Sequence, residues 1–258
     1  MKPYIGICDF THPSQTERML GHMPVNFSHQ LMVGVMMSRK TLNDIPSKWS
    51  KIFPHKDSLS EIFIPDERVV NTIHYADYEV GVTCDLALSE TLERVVTYGG
   101  PHLNAIQLDM IWPDPVELKK FRKNHNIPIV LQVGANAMAF CGESTLNTCA
   151  RIKEYDDSID AVLFDKSMGQ GKGMDATLLA RYVGVLNAEC PTPLPAVAGG
   201  LGPTSLDLVR MLVCAYPNIS IDAQSRLRTT GDATDPINWD MAESYFREAI
   251  AMFSSFQK

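Results

Sequence analysis

Four short stretches of the chain end an apolar run on residues able to do chemistry or to hold an anion. Tyr4-Ile5-Gly6-Ile7-Cys8 ends on a thiol. Leu163-Phe164-Asp165 ends on a carboxylate and passes through Lys166-Ser167 into Met168-Gly169-Gln170-Gly171-Lys172-Gly173. Val197-Ala198-Gly199-Gly200-Leu201 leads to Gly202-Pro203-Thr204-Ser205, and Ile221-Asp222-Ala223 leads to Gln224-Ser225-Arg226. A carboxylate beside a glycine-rich loop suits general acid or base work. A thiol becomes a base or nucleophile once nearby positive charge lowers its pKa. Adjacent glycines let the backbone approach a ligand and turn N–H groups toward an anion. Ser225 can offer a hydroxyl and a backbone N–H to that same anion, and Arg226 can add charge or point to solvent. Each feature also has a plainer reading: a tight turn, a loop-fixing carboxylate, an inert packed thiol.

These residues need a scaffold that brings strand ends together. Eight apolar runs suit buried strands, each a few residues long: Tyr4–Cys8, Leu31–Met37, Val69–Tyr75, Leu103–Leu108, Ile127–Val133, Ala161–Phe164, Leu194–Ala198 and Ile219–Ala223. Amphipathic stretches at Pro115–Lys123, Thr145–Tyr155, Asp175–Leu186, Ser205–Tyr216 and Trp239–Phe256 read as helices. Strands alternating with helices imply a parallel sheet with crossover helices. A chain of 258 residues matches one closed barrel, a fold that takes about 250. The expected architecture is therefore a single (β/α)8 barrel domain spanning residues 1–258. No GxGxxG follows the first strand, which argues against an open dinucleotide-binding sheet. The proline-bearing segment at about 41–68 is an elongated connection, either a lid over the site or an insertion.

Barrel enzymes place their sites at the C-terminal ends of the strands, often with a phosphate site after strands seven and eight. That rule turns the four stretches into one site: Gly199, Gly200, Ser225 and Arg226 for a phosphate, with Cys8 and Asp165 as acid–base candidates. Alternation groups Cys8 with Gly6 toward the barrel and Ile5 with Ile7 toward the helices. If Asp165 faces the mouth, Lys166 faces away, which makes it a poor Schiff-base candidate.

The bulk composition agrees. Hydrophobic residues make up 45% of the chain and charged residues 21%, so a packed core is expected. A net charge of −7 argues against a general nucleic-acid binder but leaves an anionic substrate open. No apolar run approaches the roughly 20 residues of a membrane helix, and no signal-peptide pattern opens the chain. A cytoplasmic location is expected, with no membrane partner. The six cysteines form no CxxC pair and no zinc-type grouping with histidine, so no metal site is expected.

In order along the chain, these motifs resemble the phosphoribosylanthranilate isomerase family of tryptophan-pathway barrel enzymes. That family's first strand ends Lys-Ile-Cys-Gly, where this chain has Gly6-Ile7-Cys8-Asp9. Its Ser-Pro-Arg segment corresponds to Ser38-Arg39-Lys40, and its Val-Gln-Leu-His strand to Ile106-Gln107-Leu108-Asp109. Its Leu-Leu-Asp-Ser strand and glycine loop correspond to Leu163-Phe164-Asp165-Lys166 and Gly171-Lys172-Gly173. Its Ala-Gly-Gly-Leu-x-Pro matches Ala198-Gly199-Gly200-Leu201-Gly202-Pro203, and its Asp-x-Ser-Ser-Gly matches Asp222-Ala223-Gln224-Ser225-Arg226.

The resemblance implies an Amadori rearrangement of an N-(5-phosphoribosyl) aromatic amine to a 1-deoxyribulose 5-phosphate. Asp165 would be the general acid at the ring oxygen and Cys8 the general base at ribose C2. Arg39 would hold the substrate carboxylate, with Asp109, Gly171, Lys172, Gly173 and Asp222 completing the substrate pocket. No metal or organic cofactor is implied, and the protein would be a monomer or homodimer. The departures are Asp9 for Gly, Asp109 for His, Lys172 for Thr and Arg226 for Gly. They leave open a different phosphosugar enzyme, such as a lyase or epimerase, or a non-catalytic relative.

Overall fold

The computed structural model describes residues 1–78, 86–166 and 175–256. Eight strands close into a parallel barrel in chain order. They are β1 (Tyr4–Cys8), β2 (Gln30–Ser38), β3 (Val69–Asp77), β4 (Ala105–Met110), β5 (Ile129–Gly134), β6 (Ala161–Asp165), β7 (Leu194–Ala198) and β8 (Ser220–Ala223). Closure is made by β8 pairing with β1, with Gly6 opposite Asp222. The single-barrel expectation holds among the described residues.

Strand boundaries differ from the apolar runs in one consistent direction at β3 and β4. Both continue past the apolar residues, to Asp77 and Met110. At the barrel mouth inward positions face ligand space, so polar side chains are tolerated there and the apolar signal stops before the ladder does. Asp109 thus lies inside β4, just past the end of the apolar run. Helices Pro13–Leu20, Leu88–Gly99 and Ala135–Phe140 add to those legible in the sequence. The Ser205–Tyr216 stretch divides into a 3₁₀ turn at Leu206–Val209 and a short α-helix at Arg210–Ala215.

Local chemistry starts the helices where they start. Asp114 caps the helix Pro115–Arg122 by accepting from Val116 N–H, with proline in its first turn. Asn238 accepts from the N–H groups of Asp240 and Met241 at the head of the closing helix, Trp239–Ser254. That helix buries Tyr245, Phe246, Ala249 and Phe253.

Period-two alternation divides the hydrophobic interior in two. Outward strand residues such as Ile5, Ile7, Leu31, Val33 and Ile73 pack under the helices in one large core. Inward residues Tyr4, Met32, Val70, Ala105, Val130, Ala161 and Leu163 fill the barrel floor. Above that floor the inward positions turn polar, and there the cavity begins. The 41–68 connection is anchored at both ends. Arg94 donates to Leu42 O at 3.0 Å and to Asn43 Oδ1 at 2.8 Å, while Leu59, Ile62 and Phe63 join the outer core.

Candidate active site

A cavity of about 310 Å³ opens at the C-terminal mouth of the barrel. Its lining follows from strand parity. Cys8 of β1, His74 of β3, Gln107 and Asp109 of β4, Gln132 of β5, Asp165 of β6 and Asp222 of β8 all point inward and all line it. Gly199 and Gly200, just past β7, and Ser225, just past β8, form another wall. Trp49 and Phe53 reach in from the long connection after β2. Their rings stack at 5.4 Å with planes 10° apart, so an aromatic panel lies at the edge of the cavity.

Cys8 sits at the centre of the polar layer. Its Sγ lies 3.6 and 3.7 Å from the two Asp222 carboxylate oxygens and 3.6 Å from His74 Nδ1. Two glycines make those approaches possible. A Cβ at Gly6 would stand 2.5 Å from Asp222 Oδ1, and one at Gly34 would stand 3.1 Å from Cys8 Sγ. With no side chain at Gly34, Cys8 reaches across β2 to a residue of β3.

His74 is held from its far side. Its Nε2 lies 3.4 Å from Asp109 Oδ2, and Tyr78 donates its hydroxyl to the other oxygen of Asp109. Gln107 Nε2 lies 3.3 Å from His74 Nδ1 and donates to Gln132 Oε1 at 2.9 Å.

Burial and charge set the proton affinities. Burial first, then the neighbouring Asp222 and Asp9 carboxylates, push the Cys8 thiol well above its usual range, with Arg228 opposing. Burial also raises Asp222 to about 6, against the pull of His74 and the Cys8 hydrogen bond. For His74, burial disfavours the cation. The Asp109 hydrogen bond and charge, with Asp222 and Asp9 behind, outweigh it and raise the imidazole. Among the described lining residues the charged groups are Asp109, Asp165, Asp222 and His74, so the strand end of the cavity is acidic.

The backbone at the glycine wall is left-handed, with φ of 116° at Gly199 and 69° at Gly200. Glycine alone adopts both without strain. Asp9, one step past Cys8, also has a positive φ of 70°. That conformation explains why a glycine would stand there, and aspartate is among the few other residues that tolerate it. Asp9 gains a partner in exchange. Its carboxylate is paired with Arg228, both side chains almost fully buried, and accepts from Gln224 Nε2 at 3.2 Å.

Of the residues singled out in the sequence, the structure brings Cys8, Asp109, Asp165, Gly199, Gly200, Asp222 and Ser225 to one cavity. Arg39 and Arg226 stand outside that lining. Arg39 Nε is 3.8 Å from Asp77 Oδ1, and Arg226 is exposed. Gly171, Lys172 and Gly173 lie outside the described residues. Lys166 points away from the mouth and pairs with Glu143 at 2.8 Å. The residues that sequence reasoning missed are His74, Gln132, Tyr78, Trp49 and Phe53. For His74 the parity it shares with Val70, whose side chain fills the barrel floor, gives an inward direction but does not separate a working histidine from a packed one.

Fold and site together define a (β/α)8 barrel with a thiol, an imidazole and three carboxylates gathered at its C-terminal mouth. Solved structures share that fold. One is a structure of monomers generated from dimeric phosphoribosylanthranilate isomerase of Thermotoga maritima, with TM-score 0.61 and 16% identity over 96% of this chain and 99% of that one. A probable tagatose 6-phosphate kinase from Sinorhizobium meliloti aligns with TM-score 0.50 and 10% identity, over 88% of this chain and 65% of that one. The carboxyl transferase domain of Rhizobium etli pyruvate carboxylase aligns with TM-score 0.50 and 9% identity, over 100% of this chain and 49% of that one. No family model and no curated protein sequence matches the chain.

Proposed function

We propose that this barrel is an aldose–ketose isomerase that performs an Amadori rearrangement on a phosphorylated N-glycoside of an aromatic amine. One observation carries the reading: Cys8 and Asp165 line a single cavity together with Gly199, Gly200 and Ser225. Their strands, β1 and β6, stand three places apart around the ring of eight. An acid and a base are thereby available on different sides of a sugar whose phosphate is held at the β7–β8 wall. Binding energy from that remote phosphate fixes the reacting carbon between them. The panel of Trp49 and Phe53 suits the aromatic part, and a cavity of about 310 Å³ suits a small ligand.

In this reading Asp165 protonates the ring oxygen, the ring opens and an iminium forms at C1. Cys8 takes the proton from C2, giving an enol-amine. The Cys8 thiol then returns its proton to C1 while the enol hydroxyl gives its proton to the Asp165 carboxylate. The proton count of the protein is unchanged over the cycle. The acidic end of the cavity favours the cationic iminium over the neutral ground state.

The test is turnover of phosphoribosylanthranilate by the purified protein. Conversion to the ketose is expected, with Cys8→Ala and Asp165→Asn each losing at least a hundredfold in kcat. No turnover at high enzyme concentration would refute the assignment. A second reading is a different phosphosugar enzyme on the same scaffold, and Asp109 favours it. Where the resembled family carries a histidine, this chain places a carboxylate engaged by His74 and Tyr78. Phosphosugar binding without turnover of the anthranilate substrate would support it.

A further inference from the structure

We propose that Cys8, His74 and Asp109 form a thiol–imidazole–carboxylate relay, in which His74 accepts the Cys8 proton and Asp109 holds the resulting imidazolium. The three side chains come from β1, β3 and β4. Sγ to Nδ1 is 3.6 Å and Nε2 to the carboxylate is 3.4 Å. The two ring nitrogens thus face two different partners, one a proton donor and one an anion. This is the arrangement that lets an imidazole take a proton on one side while its charge is compensated on the other.

The alternative acceptor for the thiol proton is Asp222, and charge decides against it. Transfer to Asp222 would neutralise that carboxylate and leave the thiolate with no new cation beside it. Transfer to His74 places a cation between the thiolate and Asp109, so negative, positive and negative charges alternate along the row. Other groups among the described residues also act on the pair. Cys8 sees Asp222, Asp9, Arg228 and the phenols of Tyr4 and Tyr245, and His74 sees Asp109, Asp222 and Asp9. Asp9 is paired with Arg228, which leaves Asp222 as the main opposing charge.

The fold is shaped for this contact. β1 and β3 are not neighbours, and the intervening β2 carries Gly34 opposite Cys8 and Thr72. A Cβ at Gly34 would press on Sγ at 3.1 Å and on Ile7 O at 3.1 Å. Gln107 braces the imidazole beside Nδ1, and Tyr78 braces Asp109. His74 and Asp109 act through Cys8 and are positioning residues. Their use in proton abstraction at C2 rests on the isomerase reading, where the thiolate takes the carbon proton and the pair ends the cycle as it began.

The relay is testable without substrate. The probe is iodoacetamide, and Cys8 labelling is followed by peptide mass across about pH 5 to 10, in parent, His74→Gln and Asp109→Asn. The expected result is a Cys8 alkylation rate near neutral pH at least tenfold lower in His74→Gln, with the acid limb of the profile gone. Asp109→Asn should lower the rate in the same direction. A second measurement needs neither variant to fold: the NMR titration of His74 in parent and in Cys8→Ser. Loss of the thiol beside Nδ1 should shift the His74 midpoint. Identical labelling profiles in parent and His74→Gln, or identical His74 titrations in parent and Cys8→Ser, would overturn the relay and leave the isomerase reading standing. The expected profiles without any anthranilate turnover would overturn the isomerase reading and leave the relay.

Discussion

The Asp9–Arg228 pair lies directly behind the site, and breaking it should cost more than breaking any surface ion pair of this chain. The two side chains are 3% and 1% exposed, and no other ion pair among the described residues is buried on both sides. Arg228 also donates to Asp235 O at 2.6 Å and to Gln224 O at 3.0 Å, so it ties the segment after β8 to the end of β1. Asp9→Asn keeps the shape and an acceptor oxygen but leaves the guanidinium buried without a counter-charge. Removing one partner of a buried pair costs about 3–5 kcal/mol. The two carbonyl bonds that Arg228 retains place this case at the low end, about 3 kcal/mol. That is a large part of a stability of roughly 5–15 kcal/mol. Asp9→Ala should lose about 1 kcal/mol more, because alanine tolerates the left-handed φ of 70° less well than asparagine. The double variant Asp9→Asn/Arg228→Met removes both charges and should recover a good part of the loss, a coupling that a double-mutant cycle reads directly. Urea unfolding of Asp9→Asn, Asp9→Ala, Arg228→Met and the double variant, with unchanged slope, measures all of it. Losses below about 1 kcal/mol in both charge-removing singles, adding linearly in the double, would mean that water reaches the pair and that burial was the wrong basis for the estimate.

Three other outcomes follow from the same geometry. Asp222 is raised by burial to about 6, above its unfolded value of 3.8. The folded state therefore binds the extra proton between those values, and stability falls as pH rises from 4 toward 6. Asp222→Asn should accordingly be more stable than the parent near pH 7.5, by on the order of 2 kcal/mol, with the gap closing near pH 4; urea midpoints at both pH values check it, and a gap independent of pH would refute it. Trp49→Ala removes half of the aromatic panel from a half-buried position and should raise KM about tenfold while shifting the thermal midpoint little. Gly200→Ala forces a β-carbon onto a backbone with φ of 69°, and binding of inorganic phosphate, followed by calorimetry, should weaken at least tenfold; unchanged phosphate affinity would move the anion site away from the β7–β8 wall.

Strand parity explains both what the sequence disclosed and what it concealed. Cys8, Asp165 and Asp222 were legible because each ends or nearly ends an apolar run, so a polar residue there is conspicuous and its inward direction follows from counting back along the strand. Gly199 and Gly200 were legible because two adjacent glycines after a strand have few structural uses. His74 was hidden by the same rule. It lies inside Val69–Asp77, where its neighbours are apolar and nothing in the local pattern separates a buried structural histidine from a working one. Its role depends on Cys8 and Asp109, which lie 66 and 35 positions away along the chain. Trp49 and Phe53 were hidden for a different reason. They sit in a 3₁₀ turn and the loop after it, with no periodicity to say which way they face, and only the anchoring of 41–68 at both ends turns them toward the mouth. Even the departures from the family pattern acquire sense once three dimensions are known. Asp9 in place of glycine keeps the left-handed turn and adds the buried pair with Arg228. Asp109 in place of histidine faces an imidazole supplied by the neighbouring strand, since Ala76 of β3 pairs with Asp109 and His74 sits one inward step below. Histidine and carboxylate chemistry are thus both present at the mouth. The imidazole stands on β3, within reach of the thiol across Gly34, where a histidine at position 109 would sit beyond His74 as seen from Cys8.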